Sequence, residues 1–182
     1  DKNLFNLDSS TNYDITGRFD LYTYWYNDIK SIIDSWEFKD HLQTQAIERL
    51  NNIKEKLGDK PTVSIHIRRG DYTLPQNQVL NIIDDDYYIE ALSKNFLPID
   101  DYNFIIFSND IEYAKSHLEG DNAYFVEPKG IDSYSYTSSE KDDLALLSLC
   151  DHHIITNSTY SWWGAYLSKN PNKKIICPTN WL

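Results

Sequence analysis

Beyond Pro61 the sequence alternates short runs rich in β-branched and aromatic residues with longer runs of helical period, a rhythm that few folds accommodate. The strand-length runs are Val63 to Ile67, Phe104 to Phe107, Ala123 to Val126, His153 to Thr156 and Lys174 to Cys177. Between them, Asp86 to Phe96, Ile111 to Leu118, Ser139 to Cys150 and Tyr160 to Ser168 are predicted helices. Strands that alternate with helices pair in parallel through crossover connections. The expected fold is therefore α/β, a Rossmann-like doubly wound parallel sheet.

Ahead of this region the pattern differs. Residues 1–20 are polar and without period, then Trp25, Ile29, Ile32 and Ile33 suggest one helix and Leu42, Ile47, Leu50, Ile53 and Leu57 a second. Gly58-Asp59-Lys60-Pro61 is a helix stop signal. The expected division is an irregular and helical N-terminal appendage over residues 1–60 and one α/β domain over 61–182. A chain of 182 residues with 41% hydrophobic content supplies one such core.

Seventeen basic against 28 acidic residues, a formal net charge of −11, argue against nucleic acid as a partner, because a sequence-independent grip on DNA or RNA needs a basic footprint. Cys150 and Cys177 form no zinc-type or disulfide spacing and read as small buried residues. No stretch approaches the roughly 18 consecutive apolar residues of a membrane span, and the start lacks a signal-peptide pattern. The expectation is a cytoplasmic, bacterial protein, at most peripheral to a membrane.

In doubly wound sheets ligands lie beyond the carboxyl ends of the strands. Three loops that follow strands carry more polar chemistry than a turn requires: Arg68 to Tyr72, Ser108-Asn109-Asp110 and Asn157-Ser158-Thr159. Arginine is scarce, with Arg18, Arg49, Arg68 and Arg69 the full set, and two of the four are adjacent. A guanidinium at the end of the first strand can hold a diphosphate bidentately, Gly70 permits close backbone approach, and Asp71 can lock one arginine by pairing with it. A surface Arg–Asp pair closing a turn is the alternative. Arg69-Gly70-Asp71 also spells an integrin-recognised triplet, which would need an exposed loop tip rather than a site abutting a buried strand.

Ser158, Thr159 and Ser161 are N-cap-type residues at a helix start, where free N–H groups and the positive dipole end favour an anion. Capping accounts for one of these hydroxyls, and three in four positions point to ligand contact. Asp84-Asp85-Asp86 could hold a metal but precedes a helix, and capping is the favoured reading. Asp143 could accept from guanine N1–H and N2–H or act simply as an acid in a first helical turn. His152, His153, Trp162 and Trp163 read as structural.

His66-Ile67-Arg68-Arg69-Gly70-Asp71-Tyr72, followed at the far end by Asn157-Ser158-Thr159-Tyr160-Ser161-Trp162-Trp163-Gly164-Ala165-Tyr166-Leu167, resembles the alpha-1,2-fucosyltransferase family, glycosyltransferase family 11. Asp86-Tyr87-Tyr88, Ile106-Phe107-Ser108-Asn109-Asp110 and Asp142-Asp143-Leu144-Ala145-Leu146-Leu147-Ser148 fall between them in the family's order. The resemblance runs from about Val63 to Pro178.

The resemblance implies the donor half of a two-domain, GT-B-type glycosyltransferase that holds GDP-fucose without a metal cofactor. It implies inverting transfer of L-fucose to a galactoside hydroxyl of a glycan acceptor. By position, Arg68 would hold the β-phosphate and neutralise the leaving GDP as the main catalytic group. Arg69 with Asp71 would orient the loop, His66 would shape the nucleotide pocket, Asp143 would read guanine, and Ser158 with Thr159 would bind the phosphates. Asp71 and Glu127 are candidates for the base. The family's glycine-rich amino-terminal segment does not occur in these residues, so an upstream acceptor-binding domain of the same protein is expected. The alternative function is a GDP-sugar-binding module without turnover.

Overall fold

Every β-rich run becomes a strand and every helical run between them a helix, with ends shifted by one or two residues. The computed structural model describes residues 35–77, 82–127 and 138–179, so the predicted helix around Trp25 to Ile33 lies outside the described residues. In order, the elements are α1 (Asp40–Leu57), β1 (Thr62–Ile67), α2 (Asp85–Asn95), β2 (Asn103–Ser108), α3 (Ile111–His117), β3 (Ala123–Phe125), α4 (Ser138–Ser148), β4 (His152–Ile154), α5 (Thr159–Leu167) and β5 (Ile175–Ile176). The five strands form one sheet in the order β3-β2-β1-β4-β5, and each neighbouring pair is parallel. The direction of winding reverses between β1 and β4, which makes the carboxyl ends of those two strands the switch point of the fold.

Strand periodicity divides the core in two. Val63, Ile65 and Ile67 of β1 and Phe104 and Ile106 of β2 face one side, where they pack with Tyr88 and Ala91 of α2 and Ala114 of α3. Ile105 and Phe107 face the other, where they meet Ala46 and Ile53 of α1 and Ala145, Leu146 and Leu147 of α4. Each such buried aliphatic side chain contributes about 1.5–3 kcal/mol relative to exposure.

The chain separates into two units, Asp1–Trp36 and Glu37–Leu182, and the sheet with its helices is the second. The division expected at residue 60 thus falls earlier. Helix α1 belongs to the α/β unit because Ala46 and Ile53 are buried in its core rather than in an appendage. Gly58 ends α1 with a φ of 93°, as the stop signal requires. Of the two cysteines, Cys150 is buried as expected but Cys177 is exposed. Among the described residues no helix is long and apolar enough to cross a membrane.

Candidate functional site

The second face of β1 is unusual for a central strand, since Thr62, Ser64 and His66 present polar groups to a buried interior. Each finds a partner in β4 or flanking it. Thr62 Oγ1 donates to Asp151 Oδ2 at 2.9 Å, Ser64 Oγ lies 2.8 Å from His153 Nδ1, and His66 Nδ1 lies 3.2 Å from Thr156 Oγ1. This ladder couples β1 to β4 through side chains and ends at the switch point. Burial first, and the Arg68 charge second, push the His66 imidazole down to about 3, so it is neutral at pH 7. His153 is likewise held near 3, chiefly by burial, which agrees with a structural role.

Beyond His66 the chain turns and its two arginines diverge. Arg68 Nη2 pairs with Asp71 Oδ1 at 2.7 Å, and its guanidinium lies 5.5 Å from the centroid of the Tyr72 ring. Tyr72 in turn donates its hydroxyl to the Asn157 carbonyl at 3.2 Å, so Arg68 stands on the β4 side, where the loop before α5 begins. Arg68 remains about one-third exposed (33%), a cation both fixed and reachable.

Arg69 points to the β2 side. Its backbone N–H donates to Asn109 Oδ1 at 2.8 Å, its Nε comes within 3.5 Å of Asp110 Oδ2, and its guanidinium carbon sits 3.6 Å from the centroid of Tyr113. Of the two arginines that Asp71 could lock by pairing, it pairs with Arg68. Gly70 has a φ of 46°, and a Cβ there would run into the Asn109 amide, so the close approach that glycine permits is to this side chain. With Arg69 laid on Tyr113 and Asp71 paired, the triplet Arg69-Gly70-Asp71 is not the isolated loop tip that adhesion requires.

On the other side of the switch point, Ser158 is the N-cap of α5 but its side chain makes no capping hydrogen bond. The buried hydroxyl of Ser158 and the exposed Thr159 therefore flank the first-turn N–H groups of α5, which have no intrahelical acceptor. Gly164 lets α5 settle on α4, because a Cβ there would collide with Leu147.

Asp143 is on α4, where Oδ1 pairs with Arg49 Nη2 of α1 at 2.8 Å. Tyr160, the second residue of α5, links α4 to the ladder. Its hydroxyl donates to the Glu140 carbonyl at 3.0 Å and its ring lies 5.3 Å from that of His66. The structure thus gathers His66, Arg68, Asp71, Ser158 and Thr159 around the switch point, places Asp143 on α4 in a pair with Arg49, and turns the Arg69 guanidinium toward Tyr113.

Among the acidic candidates, Asp84 Oδ1 accepts from the Tyr87 N–H at 3.3 Å, which is the capping role, and Asp85 Oδ1 accepts from the Tyr113 hydroxyl at 2.6 Å. Among the described residues no three His, Cys, Asp or Glu side chains converge as they would on a metal ion. Glu127 is exposed and pairs with Lys115 at 2.6 Å. Sequence reasoning missed Asn109, Tyr113, Thr156, Tyr160 and Arg49 as site residues. Asn109 lay in a flagged loop, whereas Tyr113 and Arg49 are ordinary members of amphipathic helices and carry no signal of their own.

The family model described as "Glycosyl transferase family 11" matches residues 7–181. The chain is 35% identical over 122 residues to the O-antigen biosynthesis glycosyltransferase WbnK of Escherichia coli, covering 66% of this chain and 39% of that protein. It is 32% identical over 127 residues to an alpha-1,2-colitosyltransferase of Escherichia coli, covering 66% of this chain and 41% of that protein. It is 26% identical over 159 residues to galactoside alpha-(1,2)-fucosyltransferase 2 of Oryctolagus cuniculus, covering 85% of this chain and 43% of that protein. The chain spans about two-fifths of the length of these relatives. No solved structure matches it. With the paired motifs in order, the parallel sheet of the expected topology and a family match over nearly the whole chain, this protein belongs to glycosyl transferase family 11.

Proposed function

We propose that this chain supplies the donor-binding half of an inverting alpha-1,2-fucosyltransferase, holding GDP-fucose for transfer of L-fucose to a galactoside hydroxyl of a glycan. The observation that carries the reading is the position of Arg68. It is a fixed but accessible guanidinium at the carboxyl end of β1, across the switch point from the start of α5. The acceptor-binding half is assigned to the remainder of a longer protein.

In the proposed reaction the bond between the anomeric carbon of fucose and the β-phosphate oxygen breaks. The acceptor oxygen bonds to that carbon from the opposite face and loses its proton to a base. Negative charge grows on the departing diphosphate as the sugar approaches an oxocarbenium ion. A preorganised cation aimed at that charge favours the transition state over the ground state. Arg68 would do this where other sugar transferases use a divalent metal. Ser158, Thr159 and the free N–H groups of α5 would hold the phosphates from the other side. His66, neutral and buried, would form the floor of the pocket, and Asp143 would accept from guanine.

Calorimetry of this chain with GDP, with and without EDTA, tests the reading. Binding should be indifferent to EDTA and should weaken by about tenfold or more in Arg68→Ala, the scale of a lost charge-assisted contact. No binding, or binding unchanged by that substitution, would overturn it. A transfer assay on the longer protein then separates an enzyme from a module that binds without turnover. The similarity to a protein named for colitose makes that sugar the second donor to include in the assay.

A further inference from the structure

Two motifs, Asp86-Tyr87-Tyr88 and Ser108-Asn109-Asp110, have no part in the chemistry assigned above, yet the fold brings both to the arginine loop. The Tyr87 hydroxyl donates to the carbonyls of Ile155 at 2.6 Å and Ile176 at 3.0 Å, and the Tyr88 hydroxyl donates to the His66 carbonyl at 3.2 Å. The start of α2 therefore braces the carboxyl ends of β1, β4 and β5. The same turn reaches sideways through Asp85, which accepts the Tyr113 hydroxyl at 2.6 Å. Tyr113 itself is oriented at its backbone, where its N–H donates to Asp110 Oδ1 at 3.2 Å.

The Tyr113 ring is stacked on both faces. The Arg69 guanidinium lies 3.6 Å from its centroid, and the His117 ring lies 4.0 Å away with an interplanar angle of 23°. A guanidinium over a phenol face is attracted by the ring quadrupole and keeps little freedom. Because Arg69 is covalently next to Arg68, holding its side chain on the β2 side sets the direction in which the peptide between them delivers Arg68.

We propose that Tyr113 is the positioning residue of the donor site: it carries the Arg69 guanidinium on a ring anchored to Asp85, so that Arg68 is the guanidinium presented to the diphosphate. Tyr113 touches no phosphate. It acts through Arg69 and the loop, and the inference rests on the GDP reading of that loop.

The distinguishing measurement is the preference for GDP over guanosine, since only GDP engages the arginine loop. Affinities of both, with GMP between them, are measured by calorimetry on the whole chain and on Tyr113→Phe and Tyr113→Leu, with thermal unfolding of each. Tyr113→Leu, which removes the ring, should cut the preference about tenfold and leave guanosine affinity within about twofold. Tyr113→Phe keeps the stack and loses only the bond to Asp85, and should cut it about threefold. If Tyr113→Leu does not fold, Tyr113→Phe decides the matter. An unchanged preference, or equal losses for GDP and guanosine, overturns the positioning role. Failure of the unaltered chain to bind GDP overturns the underlying reading, and this inference with it. GDP binding with an unchanged preference in the variants overturns this inference alone.

Discussion

The Arg68 guanidinium lies 2.7 Å from the Asp71 carboxylate three residues further on, so the cation at the switch point is held by its own turn. Both side chains are about one-third exposed, at 33% and 34%, and a pair so open to solvent contributes little to stability. Its effect is on direction. Asp71→Ala should change unfolding free energy by less than about 1 kcal/mol while weakening GDP binding about tenfold, the scale of a charge-assisted contact. Urea unfolding and calorimetry on the same preparation check the two halves together.

Gly70→Ala tests the loop from the backbone. The residue has φ of 46°, and a Cβ would meet the Asn109 amide that accepts from the Arg69 N–H. The strain and the displaced amide should cost about 1–3 kcal/mol of stability, and GDP binding should weaken as well because the turn carries Arg68. Urea unfolding and GDP calorimetry measure the two effects.

Gly164→Ala should be destabilising without touching the nucleotide. Its Cβ would collide with Leu147, which is fully buried, so neither α5 nor α4 can yield freely. Overpacking of this kind costs about 1–3 kcal/mol. A lowered thermal midpoint with GDP affinity preserved at temperatures well below it is the expected outcome.

Stability should fall on acidification in a window set by two buried histidines. His66 and His153 are both depressed from 6.5 to about 3, each mainly by burial, so in the folded state both rings stay neutral. As pH drops below 6.5 the unfolded chain takes up protons that the folded chain refuses. The stabilisation present above that value is lost progressively toward pH 3. Each ring contributes a slope of up to about 1.4 kcal/mol per pH unit. Urea unfolding at pH 7, 6 and 5 should show the decline, and His66→Gln should make it shallower by about one proton.

The strand and helix pattern was legible in the sequence because burial imposes a period that each element must carry locally. Val63, Ile65 and Ile67 read as one face of a strand for the same reason that they pack as one. The winding also followed, since alternating elements of this kind close as parallel crossovers. The Arg68 loop and the start of α5 stood out because chemistry concentrated at strand ends is visible in one dimension. The unit boundary was less legible. Helix α1 has an exposed Ile47 beside a buried Ala46, and only its packing on β2 and α4 shows that it belongs to the sheet.

The division of labour between the two arginines depended on folding. Arg68 and Arg69 are adjacent and chemically identical, so nothing local distinguishes them. They part because Asn157, 85 positions beyond Tyr72 and bonded to it, lies on one side of the turn and Asn109, Asp110 and Tyr113 on the other, all brought to the loop by β2 and β4 flanking β1. A motif of seven residues can state that two cations occur at a strand end. Which one stands beside the loop before α5 and which lies on Tyr113 is a property of long-range contacts, and those exist only once the sheet has assembled.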